Sequence, residues 1–284
     1  MSIQKVGVLG AGTMGAGIAQ VCVESGYSVV MVDIVAGVAD KALAGIKKNW
    51  GKAAEKGKLD AAAIDKYTAA LSVGTELALL KDVDIVIEAV LELIEIKKTV
   101  MKQLDELCSP NTILASNTSA LSITEIATAT NRIDKVLGMH FFNPVPVMKL
   151  VEIIPGLGTS DDTFNAVFEL CQKIGKEPVK AKEVPGFIVN RLLVPYLIEA
   201  AFAYQEGVAS AEEIDKAMKL GANMPIGPLA LIDMVGVDIC LNISDYFFKE
   251  FGDSKYRAPV VLRQKVRAGH LGMKTGIGFY NYKK

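Results

Sequence analysis

The sequence predicts an α/β fold with a doubly wound, mostly parallel sheet in residues 1–184, followed by an all-α domain in residues 185–284. Three observations lead to this prediction. Short apolar runs alternate with segments of helical periodicity from Lys5 onward. A Gly-x-Gly-x-x-Gly motif lies between the first apolar run and the first helix. After Pro185 and Gly186 the strand-like runs stop and helical patterns remain.

The elements of the first domain begin as strand, helix and strand, and the alternation continues to residue 183. A helical hairpin rich in lysine interrupts it once, after the second strand. The expected strands are Lys5–Leu9, Ser28–Ile34, Val83–Val90, Thr112–Ser116, Val136–Phe142 and Met148–Ile154. The expected helices are Met14–Ser25, Ala36–Glu55, Ala61–Leu71, Leu93–Cys108 and a short one from Ser122, with one more helix and strand within 162–183.

The second domain is predicted to be helical throughout, with turns at glycine and proline. Its expected helices are Phe187–Glu206, Ala211–Leu220, Gly227–Phe251 and Pro259–Ala268.

Composition excludes several classes of protein. Hydrophobic residues make up 51% and charged residues 22% of the 284, which is typical of a globular chain. With a net charge of −1 and scattered lysines, no nucleic-acid surface is expected. Charged residues interrupt the apolar stretches and no leader precedes the first strand, so we expect a cytoplasmic protein without a membrane span. The four cysteines stand far apart, and no metal site is expected.

The glycine motif favours a dinucleotide-binding, Rossmann-type domain. Gly10, Gly12 and Gly15 follow a strand and open a helix, so Thr13 and Met14 would bring N–H groups to a pyrophosphate. Asp33 ends the second strand, where an acid would hydrogen-bond the adenosine ribose. This carboxylate would repel a 2′-phosphate and no arginine follows it, which favours NAD, although Lys41 leaves NADP open.

One of the two histidines has the setting of an acid–base group. His140 lies near the end of a predicted strand, and Glu152 lies on the strand that returns from the Pro144–Pro146 loop. Neighbouring strands could bring imidazole and carboxylate within hydrogen-bond reach, as a dehydrogenase requires. From the residues alone, a second interpretation is equally favoured, in which His140 is a core residue and Glu152 faces solvent.

Several motifs together resemble the 3-hydroxyacyl-CoA dehydrogenase family from Val6 to Tyr282. They are VGVLGAGTMGAGIAQ, EAVLELIEIKK, ASNTSAL, HFFNPVPVMKLVEII, PGFIVNRLLVPYLIEA and KTGIGFYNY. The resemblance implies that His140 is the catalytic acid/base and that Glu152 orients it. It also implies that Ser119 and Asn190 bind the substrate oxygens, where a helix cap and a packed helical residue are the alternatives.

The resemblance further implies the ligand contacts. It adds Glu92, Lys97, Asn117, Asn143, Lys274 and Ser119 to the NAD site. Coenzyme A would meet the lysine hairpin at Lys56, with Lys52 as a competing contact; Asn49 stands near the position where the family has a serine. From the residues alone, a solvated helix face is the favoured interpretation of that hairpin.

The implied activity is NAD-dependent, reversible hydride transfer on a short (S)-3-hydroxyacyl-CoA, with acetoacetyl-CoA as the ketone, in butyrate or butanol metabolism. The second domain would bind substrate and form a homodimer. A sugar-acid or free hydroxy-acid dehydrogenase and a non-catalytic NAD-binding module remain the alternatives. Dehydrogenases of the β-hydroxyacid type carry a catalytic lysine where this chain has Asn190 and Arg191.

Overall fold

A parallel sheet forms the centre of the first of two units in this computed structural model, which describes residues 3–283. The first unit ends at Val184 and the second begins at Pro185. Among the described residues the sheet has eight strands in the order β3-β2-β1-β4-β5-β6-β7-β8. They are β1 (Lys5–Leu9), β2 (Ser28–Val32), β3 (Leu71–Gly74), β4 (Ile85–Glu88), β5 (Ile113–Ser116), β6 (Val136–Phe141), β7 (Leu150–Pro155) and β8 (Glu177–Lys180).

The strand order reverses between β1 and β4, which is the Rossmann arrangement. Strands β1 to β6 are parallel, whereas β7 runs antiparallel to β6 and β8 runs parallel to β7. Every residue of β4, β5 and β6 is buried. Strands that are buried along their whole length are expected where helices cover both faces of a parallel sheet. The prediction of a doubly wound, mostly parallel sheet is confirmed.

The helices of the first unit connect successive strands across both faces. They are α1 (Thr13–Glu24), α2 (Val38–Glu55), α3 (Ala61–Ala70), α4 (Ile94–Leu107), α5 (Ile123–Ala127) and α6 (Asp161–Lys173). The lysine-rich hairpin is α2 and α3. It joins the core through Ile46 and Trp50, and the Trp50 indole donates to Glu24 at 2.7 Å.

One strand was missed by the sequence analysis. Leu71 was assigned to the end of a helix, but Leu71–Gly74 is the edge strand β3, with Leu71 opposite Val29 of β2. Four residues are too few to show a clear alternation. The helical hairpin is therefore the connection between two neighbouring strands and does not interrupt the sheet.

The second unit is built from helices around its own core. The helices are α7 (Val189–Gln205), α8 (Ala211–Gly221), α9 (Pro228–Val235), α10 (Val237–Phe251) and α11 (Val260–Arg267). Its buried apolar residues include Leu197, Ile198, Leu229, Ile232 and Phe247. The prediction of an all-α second domain is confirmed.

Two predicted helix boundaries in this unit are wrong. The single helix expected over Gly227–Phe251 is interrupted at Gly236, whose φ of 115° cannot continue a right-handed helix. The helix expected from Phe187 begins at Val189, because Phe187 has a φ of 51°. In both places the apolar periodicity continues across a backbone turn, so the pattern gives no sign of the break.

Candidate active site

The glycine-rich turn leaves room for a ligand at the N-terminus of α1. A Cβ at Gly15 would lie 1.7 Å from the Gly10 carbonyl oxygen, so the close approach of turn and helix requires glycine there. At Gly12, in contrast, a Cβ would meet nothing within 4 Å. Gly12 is the N-cap of α1 and contributes no side-chain cap. The first-turn N–H groups, which include those of Thr13 and Met14, thus fit the pyrophosphate of a dinucleotide.

Asp33 follows β2 directly and lies against this turn. Its Oδ2 accepts a hydrogen bond from the main-chain N–H of Ala11 at 2.8 Å, and its Oδ1 accepts one from Val35 at 3.0 Å. A carboxylate has about four acceptor positions, so it can also accept from ribose hydroxyls. Asp33 therefore lies where the sequence predicted the acid that binds the adenosine ribose.

His140 and Glu152 form a buried cross-strand pair. They are direct partners in the antiparallel pairing of β6 and β7, so their side chains point to the same face of the sheet. His140 Nδ1 and Glu152 Oε2 are 2.7 Å apart, and both side chains are buried. The Phe142 ring packs on the imidazole, with 4.5 Å between the ring centres. The structure thus rejects a solvent-facing Glu152 and gives the histidine the geometry of an oriented acid–base group.

Asn117 connects the end of β5 to the end of β6. Its side-chain oxygen accepts from the main-chain N–H of Phe141 at 2.9 Å, one residue beyond the histidine. Its own N–H donates to the Glu88 carbonyl at 2.8 Å. The amide of Asn117 is therefore held beside the strand end that carries His140.

The loop that begins at Asn143 is held by a buried lysine. The Lys176 ammonium donates to the carbonyl oxygens of Val145 and, at 2.9 Å, of Met148. Burial lowers the pKa of Lys176. Asn143 itself is exposed, and its peptide bond to Pro144 is cis.

Ser119 lies on the loop after β5 and is held through its main chain. Its N–H donates to Glu92 Oε1 at 2.7 Å, and the Thr118 hydroxyl donates to the same oxygen at 2.6 Å. The helix that follows is capped by Ser122, whose hydroxyl accepts from the Glu125 N–H at 3.0 Å. Ser119 is thus not the N-cap of that helix, and this partly exposed residue is not accounted for by capping.

Lys97 lies in the interior, between two carboxylates. Its ammonium is 2.7 Å from Glu88 Oε1 and 3.3 Å from Glu92 Oε2, and 1% of its side chain is exposed. The family resemblance implies that Lys97 contacts the cofactor, and it implies no role for Glu88. The sequence does indicate Glu88, because a carboxylate at the end of a buried parallel strand lies where such sheets bind their ligands.

The lysines of the helical hairpin are exposed. Lys52 lies on α2, and Lys56 is the C-cap residue of that helix. The amide of Asn49, near the position where the resemblance implies a serine, donates to Gln20 at 3.4 Å. Both predicted contacts thus offer solvent-accessible ammonium groups, which fits a phosphate ligand and a solvated helix face equally.

In the second unit, Asn190 lies in the first turn of α7 and is partly exposed. The neighbouring Arg191 packs its guanidinium on the rings of Phe251 and Tyr256, at 4.5 and 4.8 Å from the ring centres. These cation–π contacts fix the start of the helix that carries Asn190.

Lys274 lies in the C-terminal segment of the same unit. Its ammonium is 2.6 Å from Asp238 Oδ1, and 44% of its side chain is exposed. The segment is anchored by the buried Asp233, which accepts from the N–H groups of Phe279 and Tyr280 at 2.8 and 2.9 Å. Lys274 is therefore an ordered, paired lysine, and its contact with a cofactor stays a prediction.

Two other classes of site are absent from residues 3–283. There, no group of three or more His, Cys, Asp or Glu side chains could hold a metal ion. Over the same range, none of the helices has the length and apolarity that a membrane span requires. The four cysteines are buried thiols, and burial raises the pKa of Cys22 and Cys240 to about 12 and that of Cys108 to about 11. Such thiols are protonated at neutral pH and are poor nucleophiles.

Two family models match almost the whole chain. The model described as 3-hydroxyacyl-CoA dehydrogenase, NAD binding domain, matches residues 5–184. The model described as 3-hydroxyacyl-CoA dehydrogenase, C-terminal domain, matches residues 186–282.

Individual proteins give the same result. A 3-hydroxybutyryl-CoA dehydrogenase of Clostridioides difficile is 54% identical over 99% of this chain and all of its own length. The crystal structure of an (S)-3-hydroxybutyryl-CoA dehydrogenase from Ralstonia eutropha superposes with a TM-score of 0.97 at 49% identity, with complete coverage of both chains. A diketoreductase that acts on dicarbonyl compounds superposes with a TM-score of 0.82 at 35% identity, covering 99% of this chain and 100% of its own.

Proposed function

The chain belongs to the 3-hydroxyacyl-CoA dehydrogenase family, and from this membership we propose that it catalyses the reversible oxidation of (S)-3-hydroxybutyryl-CoA to acetoacetyl-CoA. It is an NAD-dependent oxidoreductase, and NAD supplies the hydride acceptor or donor for carbon 3 of the acyl chain. The observation that carries the proposal is the buried His140–Glu152 pair at the end of the sheet where such cofactors bind.

His140 moves the proton that accompanies hydride transfer. Because Nδ1 faces Glu152, we assign Nε2 to the substrate oxygen. In reduction the imidazolium donates its Nε2 proton to the oxygen on carbon 3, and in oxidation the neutral ring takes the hydroxyl proton back. Glu152 stabilises the cationic ring in its buried surroundings and fixes its orientation.

The family resemblance implies further polar groups that would bind and orient the substrate. Ser119 offers a hydroxyl on a loop whose main chain is held by Glu92. Asn117 is held beside the end of β6, next to the histidine. Asn190 of the second unit and Asn143 complete the predicted set by family resemblance. Hydroxyl and amide donors of this kind would hold the ketone oxygen and the thioester carbonyl.

The remaining ligand contacts are those that the family resemblance implies. Lys52 and Lys56 would bind the phosphates of coenzyme A, for which their exposure is suitable. Glu92, Lys97 and Lys274 stay predicted NAD residues. A cytoplasmic location and a role in short-chain acyl metabolism also stay predictions.

The second unit is proposed to form a homodimer through its helices. Large apolar side chains are exposed there, among them Leu192 at 71% and Leu220 at 77%. Exposed apolar side chains favour a protein interface where they form a contiguous patch, which the proposed dimer would cover. Light scattering at micromolar concentration should give twice the mass of one chain, and a monomer at that concentration would contradict the proposal.

The deciding assay follows the loss of reduced-nicotinamide absorbance with acetoacetyl-CoA or free acetoacetate, each with NADH or NADPH. Rapid oxidation confined to acetoacetyl-CoA with NADH is the expected result. Preference for free acetoacetate would favour a hydroxy-acid enzyme, and the similarity to a diketoreductase is the reason for including it. If neither ketone is reduced, the proposed substrate is wrong.

A histidine variant tests the catalytic assignment in the same assay. His140→Ala should lower kcat by about 10²–10⁴-fold, the range in which general acid–base catalysis contributes. The matched control is His270→Ala, since His270 is the other histidine of the chain and lies in the second unit. A His140→Ala variant with the turnover of the parent would show that His140 is not the catalytic acid/base.

A further inference from the structure

A buried ion pair in the first unit is not explained by stability. Glu88 ends β4, Lys97 lies on α4, and both residues are 0% exposed. Removing two charges from water is costly, and well-packed apolar residues in their place are often as stabilising or more so. The Glu88–Lys97 pair therefore needs an explanation other than stability, and its contacts with neighbouring residues indicate one.

Glu88 contacts the ends of two neighbouring strands. Its Oε1 accepts from the main-chain N–H of Val90 at 2.7 Å, and its Oε2 accepts from the Ser116 hydroxyl at 2.7 Å. Its carbonyl oxygen accepts from the Asn117 N–H at 2.8 Å. One residue thus holds the turn after β4 and the start of the loop that carries Ser119.

Lys97 extends this connection to Ser119. Its ammonium lies 2.7 Å from Glu88 Oε1 and 3.3 Å from Glu92 Oε2. The other Glu92 oxygen accepts the main-chain N–H of Ser119 at 2.7 Å. Glu88 and Ser119 are therefore linked through alternating charges, Glu88⁻, Lys97⁺ and Glu92⁻, and the last of these binds the Ser119 main chain.

We infer that Glu88 is a positioning residue, which holds Ser119 in place through Lys97 and Glu92 and holds the same loop through Ser116. Without the Glu88 charge, Glu92 alone would face the Lys97 ammonium and would be drawn toward it, away from the Ser119 N–H. Lys97 then acts as an internal link between the two carboxylates. The inference rests on the proposed function, in which Ser119 contacts the substrate.

The first test is structural and needs no substrate. In Glu88→Gln the side chain keeps its size and loses its charge, so hydrogen exchange at the Ser119 amide should be at least tenfold faster than in the parent. The matched control is Glu95→Gln, an exposed glutamate in the first turn of α4. Unchanged exchange at Ser119 in Glu88→Gln would overturn the inference, whatever substrate the enzyme uses.

The second test separates positioning from plain stability. Glu88→Gln should lower kcat at least fivefold. In a Ser119→Ala background the same substitution should change kcat less than twofold, because both substitutions remove the contribution of the Ser119 hydroxyl. A purely structural Glu88 would lower the unfolding temperature and leave kcat unchanged, or would lower kcat equally in both backgrounds. Either of these results overturns the inference.

Ser116→Ala provides a milder perturbation in case Glu88→Gln does not fold. It removes one hydrogen bond to Glu88 and leaves the Glu88–Lys97 pair intact. We expect a two- to fivefold loss of kcat that disappears in the Ser119→Ala background; no loss would contradict the inference. The kcat of each variant is expressed as a ratio to that of the parent, measured with whichever ketone the parent reduces. The rate of the parent with acetoacetyl-CoA therefore tests the proposed function separately.

Discussion

Replacing Glu152 with glutamine should slow catalysis while leaving the fold in place. The change removes one negative charge, 2.7 Å from His140 Nδ1, at a position where both side chains are shielded from water. Glutamine keeps the size of the side chain and can still hydrogen-bond the ring. What is lost is the stabilisation of the imidazolium by a carboxylate.

The size of the effect follows from this burial. A hydrogen bond to a charged group contributes about 1.5–3 kcal/mol to stability, and the low exposure of this pair excludes screening by solvent. Since about 1.4 kcal/mol is a factor of ten in rate, kcat for ketone reduction should fall roughly 10- to 100-fold. The KM for the reduced cofactor should change little, because Glu152 is assigned no contact with it.

The control is Glu177→Gln on the neighbouring strand β8. Glu177 pairs with Lys149 at 3.8 Å, and these side chains are 74% and 77% exposed, so this pair contributes about 0–1 kcal/mol. Its kcat should stay within twofold of the parent. Steady-state kinetics would be measured with acetoacetyl-CoA and NADH, at a temperature where circular dichroism shows both variants folded.

Two results would refute this reasoning. A Glu152→Gln enzyme within threefold of the parent would show that the carboxylate charge does not assist proton transfer. An equal loss in Glu177→Gln would show that the effect does not depend on burial beside the histidine.

Three further predictions concern stability and thiol reactivity. Asp233→Asn should lower the free energy of unfolding by about 1–3 kcal/mol in urea titrations, because an amide oxygen cannot replace both carboxylate acceptors for the C-terminal segment; an unchanged midpoint would contradict this. Burial acts to raise the pKa of Asp105, but hydrogen bonds from Asn131 and Arg132 outweigh it and hold the pKa below its usual 3.8. The stability from this carboxylate is thus present above about pH 4 and lost as the pH falls through the lower folded value, so Asp105→Asn should flatten the acid side of the stability curve. Burial raises the pKa of Cys22 to about 12, so Ellman's reagent should label this thiol only after unfolding, and rapid labelling of the native protein would show that it is accessible.

Much of the first domain could be predicted from the sequence because its signals are local. The apolar runs of β1 and β4, and the glycines at 10, 12 and 15, report on segments that are buried or turned regardless of what lies beyond them. Edge elements were harder to predict. The four-residue strand β3 was missed, since its pairing with β2, in which Leu71 lies opposite Val29, depends on a partner 42 residues away along the chain.

The candidate site also has features that could be predicted from the sequence and features that could not. Residue types and their place at strand ends could be read from the sequence, as for Asp33 after β2 and His140 near the end of β6. That Glu152 lies opposite His140 and faces the interior is known only from the folded sheet, because strand register cannot be read from either strand alone. Tertiary structure also decided that Lys97 lies between Glu88 and Glu92, since the partners of a buried charge depend on which helix packs beside which strand end.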